Sequence, residues 1–100
     1  MNAQRIAGIL GLCQRAGALK TGVEMAESAI KRGGAKLALI DAGIAARGRK
    51  DIGDACAFAK VPLAELPEGL MALAIGKSGR MAACVMDAGF ARKIRDLLAE

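Results

Sequence analysis

Apolar residues recur at the three- and four-residue spacing of a helix face in five stretches of the chain. The first stretch, residues 2–16, keeps polar residues on the opposite face, and its apolar positions are Ile6, Ile9, Leu10 and Cys13. The same spacing predicts further helices over residues 22–32, within residues 44–60, over residues 68–75 and after Asp87. In the last three helices, the side chains expected to face the core are Ile52, Ala55, Cys56 and Ala59, then Leu70, Leu73 and Ala74, and finally Phe90, Ile94, Leu97 and Leu98.

Shorter apolar segments between these helices predict strands. They cover residues 37–41, 61–66 and 81–86, with a short extended segment at residues 19–21. Pro62 lacks a backbone N–H, so it belongs at the first position of its strand or on an edge of the sheet. Strands and helices that alternate in this way predict an α/β fold, a three-layer α/β/α sandwich around a small mixed sheet. We expect residues 1–100 to form one domain, because no linker or repeat interrupts the pattern.

The segment from Lys20 to Ile40 carries the strongest local signals. Thr21 and Glu24 have the spacing of a capping box, in which the hydroxyl accepts a hydrogen bond from the N–H of residue 24 and the carboxylate accepts one from the N–H of residue 21. Two glycines at positions 33 and 34 then end the helix. A helix N-terminus flanked by Lys20 and Gly22 suits a phosphate or a base edge. An ordinary capped helix is the simpler interpretation of the same residues.

The charge of the chain favours a polyanionic partner. The formal net charge is +5 and the isoelectric point lies near 9.5. The positive excess is concentrated towards the two ends of the sequence. Residues 1–36 carry six basic and two acidic side chains, and residues 76–100 carry five basic and three acidic ones. Nucleic acid is therefore the first candidate partner.

Several kinds of chemistry are disfavoured by the composition. The chain has no histidine, which removes histidine-based acid–base catalysis. No nucleophile–base pair or cofactor fingerprint is visible, so we expect a protein that is not an enzyme and has no cofactor, metal or small-molecule substrate. Phe58 and Phe90 are the only aromatic residues, which leaves almost no platform on which bases could stack.

The cysteines and the N-terminus indicate where the protein resides. Cys13, Cys56 and Cys84 are odd in number, far apart and without a CxxC pair, so we expect buried, inert thiols in a reducing compartment. The N-terminus lacks the pattern of a signal peptide, and no apolar run is long enough to span a bilayer. We therefore expect a soluble, cytoplasmic protein without a membrane partner.

One short motif is misleading. Gly76-Lys77-Ser78 looks like the end of a phosphate-binding P-loop. That motif requires a glycine five residues before Gly76, where this chain has Met71, and it leads from a strand into a helix rather than from a helix into a strand. The segment is therefore interpreted as a flexible basic loop.

An ordered set of short motifs along the chain resembles one protein family. The motifs are Gly22, Arg32-Gly33, Ala35-Lys36-Leu37, Val61-Pro62, Ala74-Ile75-Gly76-Lys77-Ser78, Arg80, Asp87 and Gly89-Phe90-Ala91. Their order, over nearly all of residues 4–98, resembles the L-seven-Ae/L-thirty-e family of ribosomal proteins. The Arg15-Ala16-Gly17 turn, the loop at 76–78 and the ending at 89–91 resemble its bacterial YlxQ-type RNA-binding branch. The resemblance implies an L-thirty-e-like sandwich around a four-stranded mixed sheet.

The same resemblance implies where RNA would bind. The family binds kinked RNA helices, called kink-turns, through the N-terminus of the second helix and the loop before the last strand. These segments correspond to residues 20–28 and 76–80 here. Kink-turn binders begin the helix Gly-x-Asn-Glu-x-x-Lys. Gly22 matches, but Glu24, Met25 and Ser28 replace the Asn, Glu and Lys. A carboxylate cannot donate to a guanine acceptor and repels phosphate, so we expect weak discrimination of kink-turns.

We therefore predict a non-enzymatic protein that binds structured RNA, with ribosomal RNA and other ribosomal components among the candidate partners. The residues expected at the RNA surface are Lys20, Thr21, Gly22, Glu24, Met25, Ser28, Lys31, Arg32, Lys36, Gly76, Lys77, Ser78 and Arg80. The first three would position the RNA backbone, and the loop would close over a minor groove or an unstacked base. The alternative is a ribosome-associated protein–protein interaction module whose basic charge serves solubility.

Overall fold

The computed structural model describes all of residues 1–100, in which helices and strands alternate. The helices are α1 (Ala3–Arg15), α2 (Val23–Arg32), α3 (Ala46–Ala59), α4 (Leu70–Ile75) and α5 (Ala88–Ala99), and the strands are β1 (Leu19–Thr21), β2 (Leu37–Asp41), β3 (Leu63–Leu66) and β4 (Ala82–Val85). Every predicted element is present. The longest helix, α3, has 14 residues, and none of the helices is long and apolar enough to cross a bilayer, which takes about 20 residues.

The strands form one mixed sheet in the order β1-β4-β2-β3. β4 is antiparallel to both of its neighbours, β1 and β2, whereas β2 and β3 are parallel. Every residue of the two central strands is buried, because helices cover both faces of the sheet. β3, which follows Pro62, is an edge strand, as the proline predicted.

Two buried clusters, one on each face of the sheet, produce the three layers. Leu37 and Leu39 of β2 face α1, α4 and α5, whereas Ala38 and Ile40 face α2 and α3. This division follows from the alternation of side chains along a strand. Ala26 and other small residues in the second cluster allow α2 and α3 to pack closely on the sheet. The predicted α/β/α sandwich is confirmed.

The core-facing residues of α4 differ from the prediction. Leu73 was expected in the core but is 79 % exposed, and Met71 and Ile75 are buried instead. The cause is the start of the helix, since Gly69 adopts a left-handed conformation and the helix begins only at Leu70. Positions 71 and 75, four residues apart, then face inward together.

The predicted capping box of α2 is wrong. The helix begins at Val23 with Gly22 as its N-cap, and no side chain caps it. Thr21 instead belongs to β1 and pairs with Ala83, which is buried on the α1 side of the sheet. Cross-strand partners point to the same face, so the Thr21 side chain is directed away from α2. Thr21, which the sequence pattern predicts as the cap of α2, is therefore part of the sheet instead.

A buried carboxylate connects the end of β2 to the start of α4. Asp41 is 2 % exposed and is the only charged side chain in the interior. One carboxylate oxygen accepts a hydrogen bond from the N–H of Gly43 at 2.7 Å, and the other accepts one from the N–H of Gly69 at 2.8 Å. Hydrogen bonds to a charged acceptor are stronger than neutral ones and offset part of the cost of burying the charge.

The three cysteines are buried and unpaired, as predicted. Burial raises the pKa of the Cys13 thiol to about 11 and that of the Cys84 thiol to about 12, and it also raises the pKa of Cys56. At neutral pH all three remain protonated, so they act as small apolar side chains in the core.

The two ends of the chain meet where α1 packs against α5. The N–H of Asn2 donates to the carbonyl of Leu97 at 3.1 Å. The amino group of Met1 donates to the carbonyl of Glu100. The first and last helices are thus held together at their outer ends as well as through the core.

We predict that Asp41→Asn lowers the free energy of unfolding by about 1–3 kcal/mol, because the amide can accept from only one of the two N–H groups and leaves the other buried without a partner. Urea denaturation monitored by circular dichroism measures the change. Asp54→Asn is the matched control, since Asp54 is exposed and pairs with Lys50 on the protein surface. Equal stability of the two variants would contradict a structural role for the Asp41 carboxylate.

Candidate nucleic-acid interface

The two segments expected to contact RNA lie at the same end of the sheet. We call this the loop end: it holds the last residues of β1, β2 and β3 and the first residue of β4. The N–H of Gly22 donates to the carbonyl of Ala82 at 2.8 Å, and the N–H of Asp41 donates to the carbonyl of Met81 at 2.9 Å. Residues 76–80 lead directly into these contacts. Sheet pairing therefore places the start of α2 beside the loop.

Gly22 makes the junction between β1 and α2 possible. Its φ of 98° and ψ of 149° are accessible almost only to glycine. This conformation turns the chain sharply from the last residue of the strand into the first turn of the helix. The first turn then presents backbone N–H groups that no side chain caps, a polarity that suits an anion.

The loop at 76–80 is basic and is shaped by two glycines. Gly76 ends α4 with a φ of 72°, and Gly79 has a φ of 76°. Lys77 and Ser78 are exposed between them. Arg80 is half-buried, and its Nε is enclosed without a hydrogen-bond partner in the protein. Part of the Arg80 guanidinium group is thus enclosed by the protein, and no carboxylate forms an ion pair with it.

A second group of the predicted residues surrounds a cleft along the outer side of α2. This β1-flank cleft has a volume of about 230 Å³ and lies between α2 and the edge strand β1. It is lined by Lys20, Met25, Ser28, Ala29, Arg32, Gly33 and Met86. Lys20 reaches it because its cross-strand partner, Cys84, belongs to the cluster that faces α2 and α3. Four of the predicted residues therefore share one surface.

Three predicted residues lie elsewhere. Glu24 lines a different cleft, between α2 and α3, together with Glu27. Lys31 faces that same side of α2 and forms an ion pair with Glu27 at 2.7 Å. The N–H of Lys36 donates to the carbonyl of Val85, at the opposite end of the sheet from the loop. The structure thus divides the predicted set between the loop end, the β1 flank and two more distant positions.

Ion pairing distinguishes the basic residues at the loop end and on the β1 flank from those of α3. Four cations pair with carboxylates: Lys31 with Glu27, Arg47 with Asp51, Arg49 with Glu65 and Lys50 with Asp54. The hydrogen bonds raise the pKa of Lys31 and Lys50. Lys20, Arg32, Lys77 and Arg80 have no such partner. The unpaired positive charge on and near α2 therefore lies at the loop end and on the β1 flank.

Met86 is a surface residue that the apolar pattern does not identify. The apolar run at residues 81–86 predicts a buried strand, but β4 ends at Val85, and Met86 is half-buried and lines the β1-flank cleft. Asp87 follows it and caps α5, accepting from the N–H of Phe90 at 2.9 Å. Asp87 is the sequence signal for this position, because a helix N-cap directly after an apolar run indicates that the last apolar residue lies outside the strand.

Comparisons with known proteins agree with this architecture. No protein-family model matches the chain. The RNA-binding protein YlxQ of Bacillus subtilis (strain 168) is 32 % identical over 91 residues, which cover 90 % of this chain and 91 % of that protein. The RNA-binding protein YlxQ of Enterococcus faecium is 31 % identical over 98 residues, which cover 97 % and 94 %.

Solved structures extend the comparison. A protein of unknown function from Bacillus halodurans C superposes with a TM-score of 0.89 at 31 % identity, over 95 % of this chain and 97 % of that one. The Giardia lamblia 15.5kD RNA binding protein superposes with a TM-score of 0.72 at 19 % identity, over 97 % and 91 %. At that identity the second likeness concerns the fold alone, and it confirms the expected L-thirty-e-like architecture.

We predict that Gly22→Ala lowers the free energy of unfolding by about 1–3 kcal/mol, because a side chain at this φ and ψ is strained even though its Cβ would meet no atom within 4 Å. Gly8→Ala is the matched control. Gly8 lies within α1 with the same open surroundings, and alanine there should add about 0.5–1 kcal/mol. Thermal and urea unfolding of both variants measure the difference. A Gly22→Ala protein as stable as the wild type would show that the junction tolerates other conformations.

Proposed function

Because the chain belongs to the YlxQ family of RNA-binding proteins, we propose that it binds structured RNA and does not act as an enzyme. The names of its relatives and its net charge of +5 support this proposal. We further propose ribosomal RNA, or another RNA with a folded helical junction, as the ligand and ribosomal components as neighbours. The observation that carries the proposal is the hydrogen bond from Gly22 to Ala82, which sets the start of α2 beside the basic loop.

Within this proposal, the loop end makes the main contact with RNA. Lys77 and Arg80 lie on the loop without acidic partners, and the uncapped first turn of α2 lies next to them. Backbone N–H groups and unpaired cations are the groups that bind phosphate oxygens and fix the position of a nucleic acid. The glycines at 76 and 79 allow the loop backbone to approach the RNA closely. Lys31, which already has a carboxylate partner, contributes less.

Discrimination between RNAs is proposed to be weak at the start of α2. Glu24 and Met25 are exposed there, and Ser28 is half-buried. The carboxylate of Glu24 accepts but cannot donate, the thioether of Met25 is a poor partner for a base edge, and the hydroxyl of Ser28 is short. These groups favour recognition of shape and backbone over direct reading of guanine.

A second candidate function is docking on a protein partner. The observation that favours it is Phe58, which is 92 % exposed on α3, with Leu63 39 % exposed on the open edge strand β3. These residues lie on the side of the sheet remote from β1, so this surface would not compete with the RNA surface. It becomes the leading site if the protein fails to bind RNA.

We expect binding to a structured RNA to weaken steeply as salt rises, because protein cations that bind phosphates release counterions. The plot of log K against log salt has a negative slope. The double variant Lys77→Gln, Arg80→Gln should make that slope less steep by about 0.7–0.9 for each phosphate that the protein no longer neutralises. Fluorescence anisotropy titrations between low and moderate salt measure both quantities.

The matched control for this titration is Arg47→Gln, Lys50→Gln, which removes the same charge from α3, where both cations are paired with carboxylates. The control should keep most of the wild-type slope. No binding at low salt, or binding that does not change with salt, would refute the proposal and favour the protein-docking function.

We also predict that the wild type binds a standard kink-turn little better than a plain duplex of equal length. The triple variant Glu24→Asn, Met25→Glu, Ser28→Lys should gain about a hundredfold in that preference, since a bidentate base contact is worth about 1–3 kcal/mol and two are restored. Titration of both proteins with both RNAs measures the ratio.

The control here is Glu24→Gln alone, which removes the repelling charge without restoring the full set of base contacts. It should raise the affinity for both RNAs by a similar factor. A strong preference for the kink-turn in the wild type would show that groups other than residues 24, 25 and 28 read the RNA.

A further inference from the structure

β3 presents an open edge of the sheet. Its only strand neighbour is β2, to which it is parallel. The carbonyls of Pro62 and Leu66 each accept a hydrogen bond of 2.9 Å from N–H groups in β2 and just after it. Because backbone groups alternate along a strand, Leu63 and Glu65 direct their N–H and C=O groups to the open edge. The proline faces β2 and therefore removes no donor from this edge.

A groove of about 310 Å³ lies beside this edge, between β3 and α5. Apart from Leu63, its lining residues are Leu37, Pro62, Ala64, Arg95, Leu98 and Ala99. Ala64 pairs with Leu39, which faces α1, α4 and α5, so its small side chain points to the groove side of the sheet. Arg95 is the one charged residue of the lining, and it is exposed and forms no ion pair. The groove therefore combines an apolar surface with a single unpaired cation.

The opposite face of the same edge also exposes apolar side chains. Leu63 pairs with Ala38, which faces α2 and α3, so Leu63 lies on the α3 side, where it is 39 % exposed. Phe58, near the end of α3, is 92 % exposed. Glu65 shares this face, but its carboxylate already accepts a hydrogen bond from Arg49 at 2.6 Å. The open edge thus has apolar surface on both faces and an unpaired positive charge on one of them.

We propose that β3 accepts an extended segment of a partner protein as an added strand, with apolar side chains on both faces and a carboxylate that pairs with Arg95. Backbone hydrogen bonds to Leu63 and Glu65 hold the strand, and the side chains that alternate between the groove and the α3 face set its specificity. This inference rests on the protein-docking function proposed above and gives the chemistry of its partner. β3 is at the opposite edge of the sheet from β1, so RNA and the added strand bind to separate surfaces.

A second copy of this chain fits the edge less well than such a segment. If two β3 strands paired, each copy would offer the groove of the other the short side chains of Pro62 and Ala64, because Leu66 is buried in its own core. The one acidic residue of β3, Glu65, lies on the α3 face and is already paired. Arg95 would therefore remain without a carboxylate, whereas a segment with alternating apolar and acidic residues supplies one.

The probe is a fluorescein-labelled peptide, Thr-Asp-Val-Leu-Val-Asp-Thr. In an extended chain its leucine and both aspartates share one face, and the valines lie on the other. An aspartate on either side of the leucine allows a carboxylate to reach Arg95 whether the peptide runs parallel or antiparallel to β3. In fluorescence anisotropy titrations the wild type should bind this peptide at least about fivefold more tightly than the same peptide with lysine in place of aspartate.

Arg95→Gln should weaken binding of the aspartate peptide about three- to fivefold, because an ion pair at a partly exposed site is lost. Arg92→Gln is the matched control. It removes the same charge from α5, but Arg92 lies outside the groove, so the affinity should stay at the wild-type value. Equal weakening by the two variants would show that only the overall charge of α5 matters and would overturn the inference.

The backbone contact is tested at position 65. Glu65→Pro should bind the aspartate peptide about 5- to 100-fold more weakly than Glu65→Gln, because both variants lose the carboxylate but only the proline removes an N–H from the open edge. Thermal unfolding of both variants should remain cooperative, since this N–H does not face β2. Equal affinity of the two variants would refute strand addition.

Hydrogen exchange locates the added strand independently of affinity. The N–H groups of Leu63 and Glu65 should exchange more slowly when the peptide is bound, while those of Ala64 and Leu66, which face β2, should change little. Protection confined to the surroundings of Phe58 would refute strand addition and leave protein docking through α3 intact. Absence of peptide binding at millimolar concentration, or a wild-type dimer that Glu65→Pro dissociates, would overturn the inference.

Discussion

The two hydrogen bonds of the Asp41 carboxylate are the constraint on which the loop end depends. They fix the turn after β2 through Gly43 and the start of α4 through Gly69. The backbone of the same residue donates to Met81, immediately after the basic loop. One buried residue therefore positions the helix that leads into the loop and the strand that leads out of it. The glycine-containing loop has a defined place on the surface because both of its ends are bonded to the same residue, one to the carboxylate of Asp41 and the other to its backbone N–H.

The sequence predicted the layers and the element order well because those depend on patterns that repeat over many residues. The period of apolar positions and the single-residue punctuation by glycine and proline are sufficient to place five helices and four strands. The prediction failed where two elements compete for one residue. Thr21 has the right spacing to cap α2, but it is also the last residue of β1. In the structure it pairs with Ala83 and does not cap the helix. The phase of α4 failed for a related reason, since six residues are too few for periodicity to fix a helix face.

The surface was harder to predict than the core. The sequence pattern places basic residues and glycines near the second helix, but it does not indicate on which flank of that helix each one lies. Lys31 and Arg32 are neighbours in sequence, yet one pairs with Glu27 and the other lines the β1-flank cleft. Met86 lines the cleft because β4 ends one residue before it, at Val85. Such assignments depend on strand register and on ion pairs between side chains, and local spacing carries little information about either.

The proximity of the two chain ends makes this fold suitable for circular permutation. Because Asn2 bonds to Leu97 and the first residue lies against the last, the backbone is nearly a closed ring. A short flexible linker could join residues 1 and 100, and the ring could be reopened at an exposed turn such as Lys60, between α3 and β3. The circular permutant would preserve every layer of the sandwich while moving the new ends to the β3 side of the sheet. A reporter protein fused to these new ends would lie on the β3 side and would not cover the β1 edge of the sheet.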